Sequence, residues 1–516
     1  MEKTSNSDKP AADHIDHVVE TPQETTLLQS IRLYPKIVLY CIGLTSAFLL
    51  AGYDAVIVGT ITAVPRFQAD YGEQYGEKYI IPSVWMSLWN ALGYLGSMVG
   101  GAVGGPWQDR SGRRWPLAIG SFISAISIAI LYVSNLPDDI DSRRGIFLAA
   151  KIINGFSVGI VMAVTQTYIS ESVPTSLRGS AMALLPTFML LGQIIGAGVI
   201  FSSSSDPTPQ SYLTSFASQW PFSAVPFIMA IIVPESPSHL VREEKVDAAL
   251  RSLKRLHTPQ IDSIQLVEQL KISIRLEREL SQEATYKSCF EKTNRRRTFI
   301  VSFASTIPAL FGLPLLSNAS YYMQVVGMKP SFSLIFLILG IGLGLISNGV
   351  GIWAASRAGR RPLTLITLLI TVVLWIGMGI AGCWSGTVTI WWTAITMMVI
   401  VVVCGMGCWP ASYAVAGEAS ALSLRAKTQG IGVLIHNLFN IIFNLILPYI
   451  YNPDSGNLRA KTGFVYAGFT FVALAGSWIL IPEMKGRSVV DLDRMFELKL
   501  PAREFSRWKA EKIGDE

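Results

Sequence analysis

The hexapeptide Asp-Arg-Ser-Gly-Arg-Arg at residues 109–114 returns as Ser-Arg-Ala-Gly-Arg-Arg at residues 356–361, an offset of 247 residues. Gly112 and Gly359 permit a tight turn between two helices, and the arginines around them present forked donors to carboxylates. Each copy follows a long apolar stretch. The motif therefore indicates the same junction between helices in two copies of one unit.

Acidic and basic residues elsewhere in the chain repeat in the same way. Three further pairs share this offset to within one residue: Glu171 and Glu418, Arg178 and Arg425, and Glu235 and Glu483. Because separate motifs keep nearly one offset, we infer that the chain consists of two duplicated halves. Parallel repeats of this kind place a binding site between the halves, which rock to expose it alternately.

Composition indicates where these halves reside. Of 516 residues, 50% are hydrophobic and 15% are charged, whereas a soluble domain carries about a quarter charged residues. This deficit excludes a water-soluble enzyme, a disordered protein and a nucleic-acid binder. Five scattered cysteines show neither disulfide nor metal-ligand spacing. We expect a membrane protein with no enzymatic activity, no cofactor, no metal site and no nucleic-acid partner.

Apolar stretches long enough to cross a bilayer, which takes about 20 helical residues, occur twelve times. A hydrophilic interruption at 235–297 separates the first six from the last six. The predicted fold is an all-α membrane protein with twelve transmembrane helices in two six-helix pseudo-repeats. Numbered as spans one to twelve, the stretches run over 37–61, 83–107, 115–135, 145–169, 180–202, 211–234, 298–326, 331–354, 362–381, 388–417, 428–450 and 462–481.

The distribution of lysine and arginine predicts the orientation, since these residues concentrate on the cytosolic side. With the N-terminus inside, 34 of the 42 lysines and arginines fall in inner segments, 7 fall in outer loops and Lys151 lies within a span. We therefore expect a multi-pass protein of the plasma membrane with both termini in the cytosol.

The ends of the spans divide the chain into units. The interruption carries apolar residues at helical spacing, which predicts short cytosolic helices between the halves. The expected units are a disordered cytosolic tail at 1–34, an N-terminal half at 35–234, the linker at 235–297, a C-terminal half at 298–482 and a cytosolic C-terminal tail at 483–516.

Three ionisable side chains sit well inside the spans, namely Asp54, Lys151 and His436, and such groups are costly in a membrane unless they are functional. Asp54 lies 7 residues before the outer end of span one, and Lys151 lies 6 residues after the outer start of span four. At about 1.5 Å per residue both are about 10 Å deep. Equal depth suits an ion pair that couples transport to protons, because a carboxylate separated from its ammonium partner takes up a proton more readily. A static ion pair is the alternative, and His436 is interpreted as a neutral hydrogen-bonding residue.

The repeated charges predict a gate at the cytosolic mouth. Ion pairs between the arginines and glutamates would hold the halves together when the outer side is open, and would break when the inner side opens. The alternative is that these arginines only fix the orientation, but the repeated Glu-to-Arg spacing of seven favours the gate. The predicted gate residues are Asp109, Arg110, Arg114, Glu171, Arg178, Glu235, Arg357, Arg361, Glu418, Arg425 and Glu483.

Together these motifs resemble the major facilitator superfamily and, within it, the sugar porter family, most closely the fungal α-glucoside (maltose-type) permeases. The resemblance covers residues 35–498. Besides the hexapeptides, its pieces are Gly52-Tyr53-Asp54, Tyr168-Ile-Ser-Glu171, Pro234-Glu-Ser-Pro237, Gly192-Gln193, Tyr321-Tyr322, Leu424-Arg-Ala-Lys-Thr428, Lys461-Thr-Gly-Phe464 and Pro482-Glu-Met-Lys-Gly486.

The resemblance implies a role for Asp54 and raises a question about the substrate. In proton-coupled members the aspartate at this position is the proton site, and its usual arginine partner on span four is Lys151 here. Two typical amide positions differ: the glutamine of span five is Pro186, and the Gln-Gln pair of span seven is Phe311-Gly312. Sugar hydroxyls need such partners, because a buried unpaired polar group costs about 1–3 kcal/mol.

Amide and aromatic side chains remain near the expected cavity. They would suit a carbohydrate lying on a ring face, or a larger and less polar metabolite. The predicted substrate-binding residues are Gln166, Tyr168, Gln193, Asn318, Tyr321, Tyr322, Trp409, Tyr413 and Asn437.

The leading hypothesis is proton-coupled import of an α-glucoside or hexose by alternating access. The expected partners are a small-molecule substrate, protons and the lipid bilayer, and we expect a monomer. Export of a fungal secondary metabolite is the alternative, favoured by Pro186 and Phe311. A non-transporting nutrient sensor is the third hypothesis, disfavoured by the short C-terminal tail.

Overall fold

The structure is a computed structural model that describes residues 27–76, 78–258, 262–281, 285–292, 294–421, 424–485, 487, 489–505 and 508. Long helices form two sets of six. In the N-terminal half, spans one to six are Pro35–Leu44 with Ser46–Ile61, Ser83–Ser111, Arg114–Val133, Ile140–Ser172, Thr175–Ser203, and Gln210–Ala217 with Trp220–Ile232.

The C-terminal half repeats this arrangement. Spans seven to twelve are Arg295–Phe311 with Leu313–Ser317 and Ala319–Val326, Pro330–Ala358, Arg360–Ala381, Thr387–Met406 with Cys408–Glu418, Arg425–Tyr451, and Thr462–Leu480. The predicted all-α fold of two six-helix halves is confirmed. Several helices extend beyond the predicted apolar stretches, since a helix continues into the polar interface while its hydrogen bonds remain satisfied.

Length and apolarity alone single out ten helical segments of the described chain as able to cross a membrane. The two other spans differ for identifiable reasons. Span two is rich in glycine, which lowers its hydropathy. Span seven is broken at Gly312, where φ is +109°, and the carbonyl of Phe311 released by the break accepts the indole N–H of Trp375 at 3.0 Å.

Shorter elements connect the spans. The linker forms the helices Pro237–Arg242, Val246–Leu256 and Ser263–Ser281, with a 3₁₀ turn at Lys287–Phe290. A helix at Pro65–Tyr71 and an antiparallel hairpin, Glu73–Tyr75 with Lys78–Ile80, follow span one. A 3₁₀ turn at Arg459–Lys461 precedes span twelve, and Val489–Glu497 forms a helix in the C-terminal tail.

The prediction of a disordered tail at 1–34 is wrong over Leu27–Leu33, which forms a helix. This segment carries apolar residues at helical spacing, as span one does. Residues 1–26 and 509–516, which complete the two predicted tails, lie outside the described residues.

Close packing of spans one and five positions the residues of the central cavity. A Cβ added to Gly52 would lie 1.9 Å from the carbonyl oxygen of Met189, and one added to Gly192 would lie 2.2 Å from that of Leu49. Only glycine allows backbones to approach this closely. The contact fixes the positions of Asp54, two residues after Gly52 on span one, and of Gln193, directly after Gly192 on span five.

The two halves are joined by hydrogen bonds at the end opposite the hexapeptides. We call this the outer end, and the hexapeptide end the inner end. Ser83 donates to both carboxylate oxygens of Asp454, at 2.7 Å from its N–H and 2.5 Å from its hydroxyl. Gln324 donates to the carbonyl of Ala63 at 2.7 Å. These bonds cross from one half to the other and close the outer end.

Candidate functional site

Asp54 and Lys151 are in contact between spans one and four. The Nζ atom of Lys151 lies 2.5 Å from Oδ1 of Asp54, and the side chains are 3% and 13% exposed, respectively. A charge-assisted hydrogen bond of this kind is strong because little water competes for either partner. The arrangement can bind a proton when the pair separates.

Asn154 is a further partner of Asp54 beside this ion pair, and sequence reasoning missed it. Its Nδ2 donates to Oδ1 of Asp54 at 2.6 Å. Its own Oδ1 accepts from Ser124 at 3.1 Å and Ser127 at 2.9 Å, so the amide cannot flip. Asn154 follows Lys151 by three residues on one helix face, and this spacing was the available signal.

A cavity of about 580 Å³ opens beside the pair. Asp54, Lys151, Asn90 and Tyr94 contribute its polar groups, and Trp89 contributes a ring. Its position gives the carboxylate direct access to a bound molecule or water.

A second cavity, of about 780 Å³, lies between the halves and shares the wall residue Ala55 with the first. Gln193, Ser317 and the indole of Trp409 are its few polar groups. Its apolar lining comprises Ala55, Val56, Leu190, Phe311, Leu313, Leu316, Ala319, Met323, Phe336, Leu337, Gly340, Ile341, Gly344, Ala394, Met397, Met398, Val401 and Cys404. This lining suits a ligand with a substantial apolar face.

Of the predicted substrate-binding residues, the structure places Gln193 and Trp409 on this cavity. Tyr413 is 55% exposed, and Tyr94 lies within electrostatic reach of both Tyr413 and Asp54. Tyr413 therefore faces the central space, which is open to water at this level. Gln166 is exposed and Asn437 is half-buried, and neither lines the two cavities.

Four of the predicted residues are turned away from the cavities, which corrects the prediction. Tyr168 is buried and donates to the carbonyl of Pro234 at 2.8 Å. Asn318 is buried and donates to the carbonyl of Pro314 at 2.9 Å. Such contacts satisfy the polar end of a buried side chain. We therefore assign a structural role to both residues.

Tyr321 and Tyr322, the other two, belong to the outer closure. Tyr321 accepts from the N–H of Ile81 at 3.2 Å and donates to Asn452 at 3.0 Å. Tyr322 donates to the carbonyl of Arg459 at 2.8 Å. Both residues lie within five residues of the predicted outer end of span seven at residue 326, so their depth already indicated this end.

His436 makes two hydrogen bonds that assign it as a neutral imidazole. Its Nδ1 lies 3.1 Å from the carbonyl oxygen of Ser305, and its Nε2 lies 3.1 Å from the amide nitrogen of Asn440. Because a carbonyl only accepts and an amide nitrogen only donates, the proton resides on Nδ1. The histidine joins spans seven and eleven.

The inner end is organised by arginines that the gate prediction did not choose. Arg113 is buried and lies 2.7 Å from Glu171 and 3.3 Å from Asp109. Arg360 lies 2.8 Å from Glu418 in the other half. The residue directly after each glycine points into its own half, so these pairs stabilise one half each and do not join the two.

The arginines named in the gate prediction have other contacts. Arg110 and Arg357 are exposed. Arg114 donates to the carbonyls of Ala230 and Ile231, and Arg361 donates to those of Trp478 and Ile481. Glu171 and Glu418 are each held by the arginine after the turn, and Arg178 donates to the carbonyl of Val173 at 3.5 Å.

Glu235 and Glu483 cap the helices that follow the hexapeptides. Glu235 accepts from the N–H groups of Arg113 and Arg114 at 2.8 and 3.4 Å. Glu483 accepts from those of Arg360 and Arg361, both at 3.1 Å. A carboxylate at a helix N-terminus satisfies free N–H groups and interacts favourably with the helix dipole.

His239 of the linker contacts the same cluster. Its Nδ1 accepts a hydrogen bond from Arg113 at 2.8 Å, since a guanidinium can only donate. Burial, and then the charge of Arg113, lower the pKa of His239 below its ordinary value. The ring therefore stays neutral and able to accept as the cytosolic pH falls moderately.

Replacing Gly112 with alanine is expected to destabilise the N-terminal half. Its φ is +83°, and an added Cβ would lie 2.4 Å from Oε2 of Glu235. With ψ at −179°, this backbone conformation is essentially restricted to glycine and costs another residue about 1–3 kcal/mol, and displacement of the capping carboxylate adds to this. Thermal unfolding of the purified protein measures the effect. Gly105→Ala, where nothing lies within 4 Å of the added Cβ, serves as the control; equal melting temperatures for both variants would contradict the prediction.

These features define a class of protein: a membrane transporter with two six-helix halves around a central cavity. Residues 39–496 match the model of the sugar (and other) transporter family, and the chain belongs to that family. It is a sugar porter of the major facilitator superfamily.

Individual relatives agree with this assignment. The chain is 31% identical to the MFS transporter fmqE of Aspergillus fumigatus over 78% of this chain and 74% of that protein. It is 26% identical to the maltose permease MAL61 of Saccharomyces cerevisiae over 95% of this chain and 81% of the permease.

A solved structure with the same fold is the partially occluded inward-open conformation of the xylose transporter XylE from E. coli. It matches with a TM-score of 0.72 and 21% identity, covering 88% of this chain and all of XylE.

Proposed function

We propose that this protein imports an α-glucoside-type sugar together with protons, by alternating access between its two halves. The contact of Asp54 with Lys151 at the wall of the first cavity is the observation that carries the proposal. The names of relatives such as the maltose permease support the substrate class. The positive-inside distribution of charge supports an inner end that faces the cytosol.

Proton coupling follows from the chemistry of the pair. When Lys151 and Asn154 hold the carboxylate of Asp54, its charged form is stabilised. Spans one and four belong to the same half, so we expect the pair to separate when the outer end opens and water reaches Asp54, which is then left to bind a proton. Return to the inward-facing state restores the contact and releases the proton to the cytosol. The fixed amide of Asn154 then orients the carboxylate toward Lys151.

The second cavity would hold the substrate. Trp409 offers a ring face and Gln193 offers an amide that can donate and accept, which is the combination that binds the apolar face and the hydroxyls of a pyranose. Both halves contribute to this cavity, through span five and span ten. A molecule bound there would therefore be released when the halves rock apart.

Uptake in a transport-deficient yeast strain tests the proposal. Labelled maltose is expected to accumulate above the external concentration, and a protonophore is expected to abolish the accumulation, since the proton gradient supplies the driving force. Glucose uptake measured in parallel separates an α-glucoside from a hexose substrate. Downhill sugar entry that is insensitive to the protonophore would contradict proton coupling.

The apolar lining of the second cavity favours one other function, export of a less polar metabolite. Phe311 occupies one of the two amide positions that the family pattern implies, and it faces Trp409 with ring centres 6.3 Å apart. Cells that show no uptake of any sugar, but that retain less of a labelled apolar metabolite when the protein is expressed, would establish export in place of import.

A further inference from the structure

A basic groove lies at the inner end of the C-terminal half, apart from the two cavities. It is lined by Ala358, Arg361, Pro362, Trp478, Glu483, Lys485, Arg487 and Arg503, and encloses about 1180 Å³ of open space. Four of these side chains are cationic. Glu483 is the one acid among the described residues of the lining, so the groove carries a net positive charge.

The carboxylate of Glu483 is held at the start of span nine. It accepts the N–H groups of Arg360 and Arg361, both at 3.1 Å, and of Lys485 at 2.9 Å. Its charge offsets one of the four cations, which leaves the lining with a net positive charge. The Nζ of Lys485 donates to the carbonyl of Arg357 and keeps further N–H groups for another acceptor.

Two guanidinium groups converge on one indole ring. The central carbon of Arg503 lies 4.8 Å from the ring centre of Trp478, and that of Arg361 lies 5.6 Å from it. Each contact is a cation–π interaction, but the two cations repel each other. An anion bound between them would relieve this repulsion and accept hydrogen bonds from both.

The internal repeat shows that the fold does not require this groove. At the offset of 248 residues, the counterparts of Trp478, Lys485 and Arg487 are Ala230, Pro237 and His239. The N-terminal half therefore makes the equivalent helix junction, with Arg114 and Glu235, without the tryptophan and the added lysine and arginine. These residues are additions to the common framework.

The level of the groove indicates what kind of anion it meets. Span twelve ends at Leu480, and Trp478, two residues earlier, is 50% exposed. Tryptophan at the end of a span lies at the depth of the lipid headgroups. The groove thus opens at the membrane surface, beside the ring, and not into the cytosol alone.

We propose that this groove binds the phosphorylated headgroup of an anionic lipid in the inner leaflet. Lys485 and Arg503 contact the phosphate, Arg361 contributes charge from a position fixed by its bonds to the carbonyls of span twelve, and the ring of Trp478 packs on the glycerol region. Basic pockets between helices at this depth are suited to such headgroups. The proposal depends on the fold and on the inner end facing the cytosol, and is independent of the transported substrate.

Native mass spectrometry of the full-length protein released from nanodiscs tests the proposal. One set of nanodiscs contains phosphatidylcholine with a small fraction of phosphatidylinositol phosphate, and the other contains phosphatidylcholine alone. Wild-type protein is expected to retain the anionic lipid. The double variant Lys485→Gln with Arg503→Gln is expected to retain at least fivefold less. Both side chains are exposed, and the glutamine amide at position 485 keeps a donor for the carbonyl of Arg357, which Lys485 contacts at the end of span eight.

A matched variant controls for total charge. Arg251→Gln with Lys254→Gln removes two exposed cations from the linker helix Val246–Leu256 and is expected to retain lipid as wild type does. Equal retention by both double variants would overturn the proposal. Displacement of the lipid by inorganic phosphate or by soluble inositol phosphate at equal concentration would overturn it as well, because it would identify a free phosphate as the ligand.

Discussion

Asp54→Asn is expected to reduce substrate accumulation to about the equilibrium ratio of one, while exchange of substrate across the membrane continues. An amide has the shape of the carboxylate but cannot bind and release a proton, so the proton gradient loses its connection to transport. The variant keeps the hydrogen-bonding position between Lys151 and Asn154. Proteoliposomes with an imposed pH gradient measure accumulation, and counterflow of labelled substrate in the same vesicles measures exchange.

Three further variants make this result interpretable. Asp138→Asn removes an acid from an exposed outer position and should accumulate substrate normally. Lys151→Arg keeps a cation opposite Asp54 and should retain coupling, whereas Lys151→Ala should lose it. Normal accumulation by Asp54→Asn would show that the ion pair is only structural.

Arg113→Ala should be the most destabilising single change at the inner end, with a cost of about 3–5 kcal/mol. Arg113 is 2% exposed and Glu171 is 11% exposed, so the variant removes the closer of two cations from a buried carboxylate and leaves it only Arg242 at 3.7 Å. It also removes the donors to His239 and to the carbonyl of Gln108. Thermal unfolding in detergent and the yield of monodisperse protein measure the loss.

The neighbouring arginine provides the comparison. Arg110 belongs to the same hexapeptide but is exposed, and Arg110→Ala should change the unfolding temperature little. Arg360→Ala should fall between the two, because Arg360 and Glu418 are 20% and 33% exposed and water can compensate. If the three variants unfolded at one temperature, burial would not govern these ion pairs.

The sequence predicted the fold and the central ion pair for different reasons. Repeated motifs and apolar spans predicted the fold, because a bilayer leaves helices as the structure of such stretches. Asp54 and Lys151 could be paired from depth alone, since the rise per residue is constant in both spans. Sequence reasoning chose Arg114 over Arg113 as a gate residue because the hexapeptide does not reveal which arginine turns inward after Gly112.

The substrate residues show the same limit. Depth placed Tyr321 near the outer end, 5 residues before residue 326, and Trp409 nearer the inner end, 8 residues before residue 417, but it could not show which of the two lines a cavity. The break at Gly312 decides the direction of the second part of span seven. Gly312 is visible in the sequence, but the direction that the chain takes after it depends on Trp375 of another span, which contacts the break.

The amino-acid sequence by itself therefore determined the membrane location, the two halves, the family and the depth of the charged pair, since each follows from periodicity, composition or spacing along one chain. Only the tertiary structure decided which arginines are buried, which tyrosines seal the outer end, and how apolar the central cavity is. Those properties depend on side chains from distant segments that meet across helix faces, and on the direction in which each face turns. Spacing along the chain does not encode that direction until the helices pack.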